Sequence, residues 1–302
     1  MNLFTGQIRN WRDWGDIFQS IPAFTPLVEY ILYKERLPAV KIENLTPGTN
    51  AVFKAGRYVV KIYAPVESGV DQTADLQTEL FAARRAEKKG VPAPKLLAHG
   101  FVEDKYSFAY LITEYIEGAE FQSAVKRMAG AEKIAFGQKL RAATDRINTP
   151  CEPFNDIDVI NGKRRFRRWD NYPERFKAER LAYMRTHDFG EMVFVHGDLC
   201  GDNILVTPPG GLYIIDFADA VLAPVSYEHA LLAFELFELD PALLRGYFGG
   251  FTPEELTDVC FDGLLLHDFG GDVVKRHIGN PDEFQRLDDL RNKLKAKINE
   301  SI

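Results

Sequence analysis

Three polar side chains follow apolar strands in the second half of the chain and have types suited to joint chemistry. Asp198 and Asn203 lie five residues apart in HGDLCGDN, residues 196–203, and Asp216 follows thirteen residues later in IIDF, residues 214–217. Phosphoryl transfer needs an oxygen acceptor near the attacking hydroxyl and further oxygen ligands for Mg²⁺. A carboxylate, an amide oxygen and a second carboxylate meet that need. The spacing therefore predicts a phosphoryl-transfer site.

A short turn is expected to bring two of these side chains together. Residues 207–211, Thr-Pro-Pro-Gly-Gly, separate two apolar strands and predict a β-hairpin, which returns Asp216 to the neighbourhood of Asn203. The alternative interpretation treats Asp198 and Asp202 as ordinary turn and cap residues, because Asp, Asn and Gly are common in loops. That alternative leaves the spacing of all three polar residues to chance.

A second pair of charged residues lies nearer the N-terminus. Lys61 stands in the apolar strand VVKIY, residues 59–63, where a buried ammonium group is costly unless it is paired. In the helix that follows, Glu79 recurs at helical spacing with Leu76 and Ala83, which places it on the inward face. We therefore predict a Lys61–Glu79 ion pair that positions nucleotide phosphates. The alternative is a lysine on an edge strand and a solvated glutamate.

Together these motifs resemble the aminoglycoside phosphotransferase and choline kinase superfamily, the small-molecule relatives of protein kinases. The superfamily has HGDxxxxN followed by an I-D-[FW] strand, a helix glutamate before a G-x-P-x-P turn (GVPAP, residues 90–94) and a P-x-x-Y-[DE]-x-A element (residues 224–230). The resemblance runs from about residue 40 to residue 235. It implies a bilobal protein-kinase-like fold and the use of ATP or GTP with Mg²⁺. The longer activation segment of protein kinases, ending in Ala-Pro-Glu, is absent from the sequence.

The resemblance also implies a role for each residue. Asp198 would orient the acceptor hydroxyl and take its proton, while Asn203 and Asp216 would hold Mg²⁺. His196 is expected to be structural, bonded to backbone near Asp216, and Cys200 to pack as a small residue.

Further nucleotide contacts are expected from main-chain groups. Residues 44–51 have a single glycine, so the GxGxxG loop of protein kinases is absent, but N–H groups from Gly48 through Thr49 to Asn50 could reach phosphate oxygens. The segment ending in Glu-Gly at residues 117–118 resembles the hinge between lobes. There the Glu114 carbonyl and the Ile116 N–H are expected to hold adenine.

Hydrophobic periodicity predicts an α+β protein with two lobes. Two helical pieces are expected within residues 1–37, the second starting at Thr25-Pro26, and three strands within residues 38–64. A helix over 72–89 and strands near 95–100 and 107–115 complete a small antiparallel-sheet lobe, residues 1–115. Residues 116–302 form a mostly helical lobe interrupted by one β-rich island at 192–217. Clefts between two lobes are favoured ligand sites.

Composition excludes several classes of protein. The 302 residues are 46% apolar, which is enough to bury a sizeable core, and the 37 basic and 44 acidic residues give a net charge of −7. That charge argues against a nucleic-acid binder, and no apolar run is long enough to span a membrane.

The basic run at residues 163–169 is interpreted as a solvated helix face rather than an RNA patch. Three widely spaced cysteines favour a reducing cytoplasm.

Acidic charge is concentrated where the acceptor is expected. Residues 215–290 contain 16 Asp or Glu and 4 Lys or Arg, so the rest of the chain carries a positive balance. A cleft lined by one sign of charge attracts the opposite sign, which predicts a cationic acceptor such as an aminoglycoside. The candidate acceptor contacts are five acids: Asp202, Asp219, Glu228, Asp262 and Asp268.

Two other functions are compatible with the same motifs. One is a kinase for another metabolite alcohol, such as choline, a methylthio-sugar or an amino alcohol. The other is a catalytically silent nucleotide-binding module with the kinase fold. The predicted functional residues argue against it, because all five are present: Lys61, Glu79, Asp198, Asn203 and Asp216. The sequence does not distinguish ATP from GTP, and it does not show the oligomeric state.

Overall fold

The structure is a computed structural model that describes residues 2–162, 167–208 and 210–302. The chain forms two compact units. Unit 1 contains residues 1–87 and 93–117, and unit 2 contains residues 88–92 and 118–302.

Unit 1 is built on a five-stranded antiparallel sheet. The strand order is β1-β2-β3-β5-β4, so β3 and β5 are central and β4 is an edge strand. The hairpin β2–β3 pairs Ala51 with Ile62, and β3 pairs with β5 along its whole length. The strands are β1 (Ile42–Asn44), β2 (Ala51–Ala55), β3 (Tyr58–Ile62), β4 (Leu96–Glu103) and β5 (Ser107–Glu114).

Helices cover both faces of this sheet. The long helix α3 (Thr73–Lys89) packs on one face, where Leu76 and Leu80 meet Tyr63 and Leu111. The other face is covered by the N-terminal helices α1 (Trp11–Ile17) and α2 (Ile21–Lys34), which bury a large aromatic cluster. Because side chains alternate along a strand, Val60 and Ile62 face the N-terminal helices while Lys61 points to the face under α3.

The prediction for the start of α2 is wrong. Thr25-Pro26 lies inside the helix, which begins at Ile21 after an N-cap, Ser20, whose hydroxyl accepts a hydrogen bond from the Ala23 N–H at 3.4 Å. The same signal, a hydroxyl residue shortly before proline, occurs one turn earlier at Ser20. Inside the helix the Thr25 hydroxyl donates to the carbonyl of Ile21 at 2.7 Å.

The described part of unit 2 is mostly helical, and two small antiparallel ribbons interrupt its helices. One ribbon pairs β7 with β10, and the other has the order β6-β8-β9. Helix α9 has a largely apolar buried face and packs against α7, α10 and α11. The strands are β6 (Ala119–Glu120), β7 (Val193–Val195), β8 (Ile204–Thr207), β9 (Gly211–Ile214) and β10 (Val221–Ala223). The helices are α4 (Phe121–Val125), α5 (Gly130–Ile147), α6 (Glu174–Thr186), α7 (Ser226–Leu231), α8 (Pro241–Phe248), α9 (Pro253–Leu266), α10 (Gly270–His277) and α11 (Leu287–Ser301).

The α+β class predicted from the sequence is confirmed, and so are the five strands of unit 1 with small shifts at their ends. Periodicity missed β6 and β10, which have only two and three residues and are too short to show an alternation. Most of the basic run, residues 163–166, lies outside the described residues. Among the residues that the structure describes, no helix is long and apolar enough to cross a membrane.

Candidate functional site

Lys61 and Glu79 form a buried ion pair in unit 1. Lys61 lies in the middle of β3, Glu79 lies on the inward face of α3, and Nζ is 2.7 Å from Oε1. Their exposed fractions are 6% and 5%, so both charged groups have left water. A buried charge is stable only when a partner of opposite charge and further hydrogen bonds replace its hydration. The pairing that the apolar setting predicts is therefore present.

A third residue, Tyr63, completes this arrangement and was missed from the sequence. Its hydroxyl donates a hydrogen bond to Oε2 of Glu79, and its ring lies beneath the Lys61 ammonium, 5.4 Å from Nζ to the ring centroid. Tyr63 stands two positions after Lys61, so period-2 alternation places both side chains on the same face. That spacing was the signal available in the sequence.

The predicted phosphate-binding loop connects β1 to β2. Gly48 and Thr49 are exposed at its tip, whereas Asn50 is buried directly before β2. The Thr49 carbonyl accepts a hydrogen bond from the indole nitrogen of Trp14 at 2.8 Å. Within the described part of the chain, Asn50 Oδ1 has no hydrogen-bond donor.

The predicted hinge residues continue from β5. Glu114 is the last residue of β5, and its N–H donates to the Lys95 carbonyl at 3.0 Å. Its carboxylate accepts the Lys95 N–H at 3.1 Å, which fixes the end of the strand from both sides. Ile116 lies two residues beyond the strand and is half-buried.

In unit 2 the segment after β7 makes a turn that only glycine allows. Gly197 has φ +84°, and a Cβ atom there would lie 2.0 Å from the carbonyl oxygen of Asp219. The turn carries the chain from β7 to Asp198 and brings it close to the segment after β9. The first glycine of HGDLCGDN, Gly197, is thus required by backbone geometry.

Two histidines hold this turn through backbone carbonyls. The ring of His196 is within 2.9 Å of the Ile215 carbonyl through Nε2, which confirms the structural role expected for it. Nε2 of His267 lies 3.0 Å from the carbonyl of Gly197. Both histidines are buried, so the turn is fixed from two directions.

The side chain of Asp198 is oriented by Asn203. The amide nitrogen of Asn203 donates to Oδ2 of Asp198 at 3.1 Å and to its carbonyl oxygen at 2.8 Å. Burial and, to a smaller extent, the negative charges of Asp219 and Asp216 together raise the pKa of Asp198 to about 7, although the hydrogen bond from Asn203 opposes the rise. A carboxylate with this pKa is suited to accept a proton near neutral pH. Cys200 beside it is a poor nucleophile, because burial raises the pKa of its thiol to about 12.

The β8–β9 hairpin brings Asn203 and Asp216 close together along the backbone. Ile204 pairs with Ile214, and beyond the ladder the Ile215 N–H donates to the Asn203 carbonyl at 3.0 Å. Asp216 follows at once with φ +58°, a left-handed conformation that Asp tolerates better than most residues. Its side chain is exposed.

The donor set fits Mg²⁺. Because the Asn203 amide nitrogen is used in bonds to Asp198, its amide oxygen is the atom that would bind a metal, together with the Asp216 carboxylate. The described residues contain no group of three or more His, Cys, Asp or Glu side chains arranged to hold a metal. Mg²⁺ in nucleotide enzymes typically has one or two carboxylate ligands and takes the rest from phosphates and water, so two oxygen ligands are enough.

The prediction that Glu228 contacts the acceptor is wrong. Its side chain is fully buried at the start of α7 and accepts hydrogen bonds from the His196 N–H at 2.5 Å and from Asn148 Nδ2 at 2.8 Å. Burial raises the pKa of Glu228, whereas the bonds from Asn148, His196 and the Gly197 N–H oppose that shift. Glu228 supports the turn that carries Asp198.

The other four candidate acceptor contacts have different surroundings. Asp262 is half-buried and already bonded, to the Tyr183 hydroxyl at 2.7 Å and to His187 Nε2 at 3.0 Å. Asp268 is half-buried, and its N–H contacts the Tyr227 hydroxyl at 3.3 Å. Two of the five predicted acids, Asp202 and Asp219, are exposed and lie near the Asp198 turn: Asp202 is four residues from Asp198 in the sequence, and the Asp219 carbonyl lies against Gly197.

Comparison with protein families gives one match. The model of the phosphotransferase enzyme family matches residues 50–258, which include both groups of polar residues described above. A search of the curated proteins finds no significant relative by sequence.

Solved structures with the same fold are numerous, and the three described here are 13–18% identical to this chain. A thermostable mutant of aminoglycoside phosphotransferase APH(4)-Ia, in a ternary complex with AMP-PNP and hygromycin B, has a TM-score of 0.58 and 18% identity, covering 90% of this chain and 98% of the other. The GDP complex of aminoglycoside 2'-phosphotransferase-IIIa has a TM-score of 0.56 and 13% identity, covering 90% and 97%. Choline kinase LicA from Streptococcus pneumoniae has a TM-score of 0.55 and 15% identity, covering 91% and 98%. These matches confirm the protein-kinase-like fold.

Proposed function

This chain belongs to the phosphotransferase enzyme family, and we propose that it transfers the γ-phosphoryl group of ATP to a hydroxyl of a small cationic molecule such as an aminoglycoside. The observation that carries the proposal is the Asp198 carboxylate, which is hydrogen-bonded to Asn203 on a turn fixed by Gly197 and Glu228. A carboxylate held in this way suits a proton acceptor, since positioning and pKa both favour the reaction.

The reaction we propose begins with a hydrogen bond from the acceptor hydroxyl to Asp198. The hydroxyl oxygen forms a bond to the γ-phosphorus while the bond from phosphorus to the β–γ bridging oxygen breaks, and ADP leaves. The hydroxyl proton moves to the Asp198 carboxylate. Asn203 and Asp216 would hold Mg²⁺, which supplies charge neutralisation on the phosphate oxygens.

Lys61 is assigned to the α- and β-phosphates of the nucleotide. Glu79 and Tyr63 limit the positions that the Lys61 ammonium can take, because Glu79 is itself fixed at both oxygens. A pre-oriented cation gains more from phosphate binding than a free one, since less side-chain entropy is lost. Main-chain groups at residues 48–50 and at Glu114 and Ile116 would complete nucleotide binding.

The choice of a cationic acceptor rests on charge. Asp202 and Asp219 are exposed carboxylates close to the Asp198 turn in sequence or space, and the segment 215–290 is strongly acidic. The relative solved with hygromycin B binds an aminoglycoside together with an ATP analogue, which agrees with this choice. The relative solved with GDP supports GTP as an alternative donor of the phosphoryl group.

A second candidate acceptor is another cationic metabolite alcohol. The likeness to choline kinase LicA favours this class, because choline also carries a positive charge and a hydroxyl. A catalytically silent nucleotide-binding module is less well supported, since all five predicted functional residues are present: Lys61, Glu79, Asp198, Asn203 and Asp216. Three free cysteines agree with the cytoplasm, where ATP is available.

The test is a coupled assay of nucleotide turnover with Mg²⁺ and a panel of acceptors. The panel contains hygromycin B, streptomycin, choline, amino alcohols and neutral sugars, and the protein with Asp198→Asn serves as the control for contaminating activity. We expect the highest kcat/KM for a cationic acceptor. Turnover only with neutral acceptors would refute the cationic choice, and no turnover with any alcohol would favour the silent module.

A further inference from the structure

The N-terminal segment, residues 2–18, is fastened to the sheet of unit 1 at two separate places. At its beginning, the N–H groups of Leu3 and Phe4 donate to Oδ2 of Asp104 at 2.9 and 3.0 Å. The Ile8 N–H donates to the Tyr106 hydroxyl at 2.8 Å. Both acceptors belong to the turn between β4 and β5, which is a different connection from the predicted phosphate-binding loop between β1 and β2.

The second attachment is to that loop. Trp14 lies in α1, which is N-capped by Asn10 through a 3.0 Å bond from the Asp13 N–H. The Trp14 side chain is 1% exposed and packs against the rings of Phe18 and Phe24. Its indole N–H donates to the Thr49 carbonyl at 2.8 Å. The ring cannot move without disturbing the aromatic cluster, so the direction of this hydrogen bond is fixed by the core.

This bond controls the orientation of one peptide unit. In a trans peptide the carbonyl and the following N–H point in opposite directions, so fixing the Thr49 carbonyl also fixes the Asn50 N–H, which points away from Trp14. The tip of the loop, Gly48 and Thr49, is exposed and has few packing restraints. Ordering such a loop when a ligand binds would cost conformational entropy, and a loop already held in place avoids part of it.

We propose that Trp14 is a positioning residue for the nucleotide phosphates, acting through its hydrogen bond to the Thr49 carbonyl to hold the β1–β2 loop ready for binding. This inference rests on the proposed function, because it takes that loop as the one that meets the phosphates. It assigns the N-terminal segment a part in nucleotide binding. If Trp14 serves only as a core side chain, its ring matters and its N–H does not.

The test separates the ring from its N–H group. Trp14→Phe keeps an aromatic ring in the cluster but removes the donor, and 3-benzothienylalanine at position 14 keeps the full shape and replaces N–H with sulfur. The matched control is Trp11→Phe, a change of the same kind in the same helix at a side chain that is 40% exposed. Titration calorimetry on the full chain measures binding of AMP-PNP with Mg²⁺ and, separately, of adenosine.

We expect both Trp14 variants to bind AMP-PNP about three- to tenfold more weakly, the effect of one lost hydrogen bond, with adenosine affinity unchanged. Trp11→Phe should leave both affinities unchanged. Equal weakening for both ligands would mean a general loss of structure, and no weakening with benzothienylalanine would show that the N–H is not used; either result overturns the inference. Failure of the unaltered protein to bind AMP-PNP would instead refute the proposed function.

Discussion

The two groups of functional residues differ in the charges that they bring together. In unit 1, Lys61 and Glu79 are both buried, carry opposite charges and are joined at 2.7 Å. In unit 2, Asp198 has two carboxylates near enough to raise its pKa, and one of them, Asp216, is exposed in a left-handed conformation. One group is balanced within itself, and the other accumulates negative charge.

The difference indicates what each group needs from its ligands. A buried, balanced pair is fully formed before anything binds, so it can act as a fixed reference for the nucleotide phosphates. Like charges held close together favour the binding of a cation, since a cation removes their repulsion. We therefore expect changes in unit 1 to alter nucleotide affinity, and changes in unit 2 to alter turnover and the dependence on Mg²⁺.

The largest effect is expected at Asp198. Asp198→Asn keeps the size of the side chain and can still accept the bond from Asn203, but it cannot take a proton at neutral pH. Turnover should fall by about 10²- to 10⁴-fold, the usual contribution of general-base catalysis. Titration with Mg²⁺ and AMP-PNP should show almost unchanged affinity.

Stability provides the control for this variant. Asn at position 198 removes one of three neighbouring negative charges, so the Tm should stay the same or rise. A turnover close to that of the unaltered protein would show that Asp198 is not the proton acceptor.

The second largest effect is expected at Asp216. Asp216→Ala removes a predicted metal ligand, so activity and Mg²⁺-dependent nucleotide binding should be lost together, with at least about a tenfold lower affinity for AMP-PNP in Mg²⁺. In EDTA the variant and the unaltered protein should bind AMP-PNP equally. If calorimetry in Mg²⁺ gives the same affinity for both, the principal metal ligand lies elsewhere.

The same difference between the two groups of residues explains which features of the site could be predicted from the sequence. The ion pair of Lys61 and Glu79 was predictable, because a charged side chain in an apolar strand requires a partner. The left-handed backbone at Asp216 and the glycine requirement at 197 follow from the three-dimensional path of two loops, which no spacing reveals. Only the motif indicated that these residues mattered.

Acidic side chains were the least predictable. The count of charges in residues 215–290 predicted both Glu228 and Asp219 as acceptor contacts. Glu228 is buried under the Asp198 turn, whereas Asp219 is exposed. A sequence shows how many carboxylates a segment has, whereas packing decides which of them face solvent. The contact between Trp14 and Thr49 was likewise not predictable, because its hydrogen bond joins residues 35 positions apart.

A smaller effect is expected from the ion pair of unit 1. Lys61→Ala and Glu79→Ala should each weaken nucleotide binding, and the double-mutant cycle should give a coupling energy of at least ~0.5 kcal/mol. Removing either residue leaves the other charge buried, so the second removal should be less harmful than the first. Additive effects would mean that Glu79 does not act on the nucleotide through Lys61. The pair Arg141–Asp145 on α5, in which Arg141 is half-buried and Asp145 exposed, provides a control cycle, for which no coupling in nucleotide binding is expected.

The smallest effect is expected from the dependence of acceptor capture on salt. Several acids of the segment 215–290 are already paired with arginines within the protein: Asp272 with Arg168, Glu235 with Arg276, and Asp258 with Arg291. Their fields are partly cancelled, so steering of a cationic acceptor would depend on few carboxylates, among which Asp219 is exposed and close enough to Asp198 to raise its pKa.

We accordingly expect kcat/KM for the best acceptor to fall by only about two- to fivefold between roughly 50 and 500 mM salt, a range over which the screening length shrinks about threefold. Asp219→Asn should reduce this salt dependence. Asp282→Asn, an exposed change of equal net charge before α11, should leave it unchanged. If both variants reduce it equally, the net charge of the protein and not the local carboxylate attracts the acceptor. Two results would contradict this expectation: a kcat/KM that does not change with salt in the unaltered protein, or a best acceptor without positive charge. In either case the negative charge of unit 2 would act on Mg²⁺ alone, so the difference in charge between the two units would not indicate the acceptor.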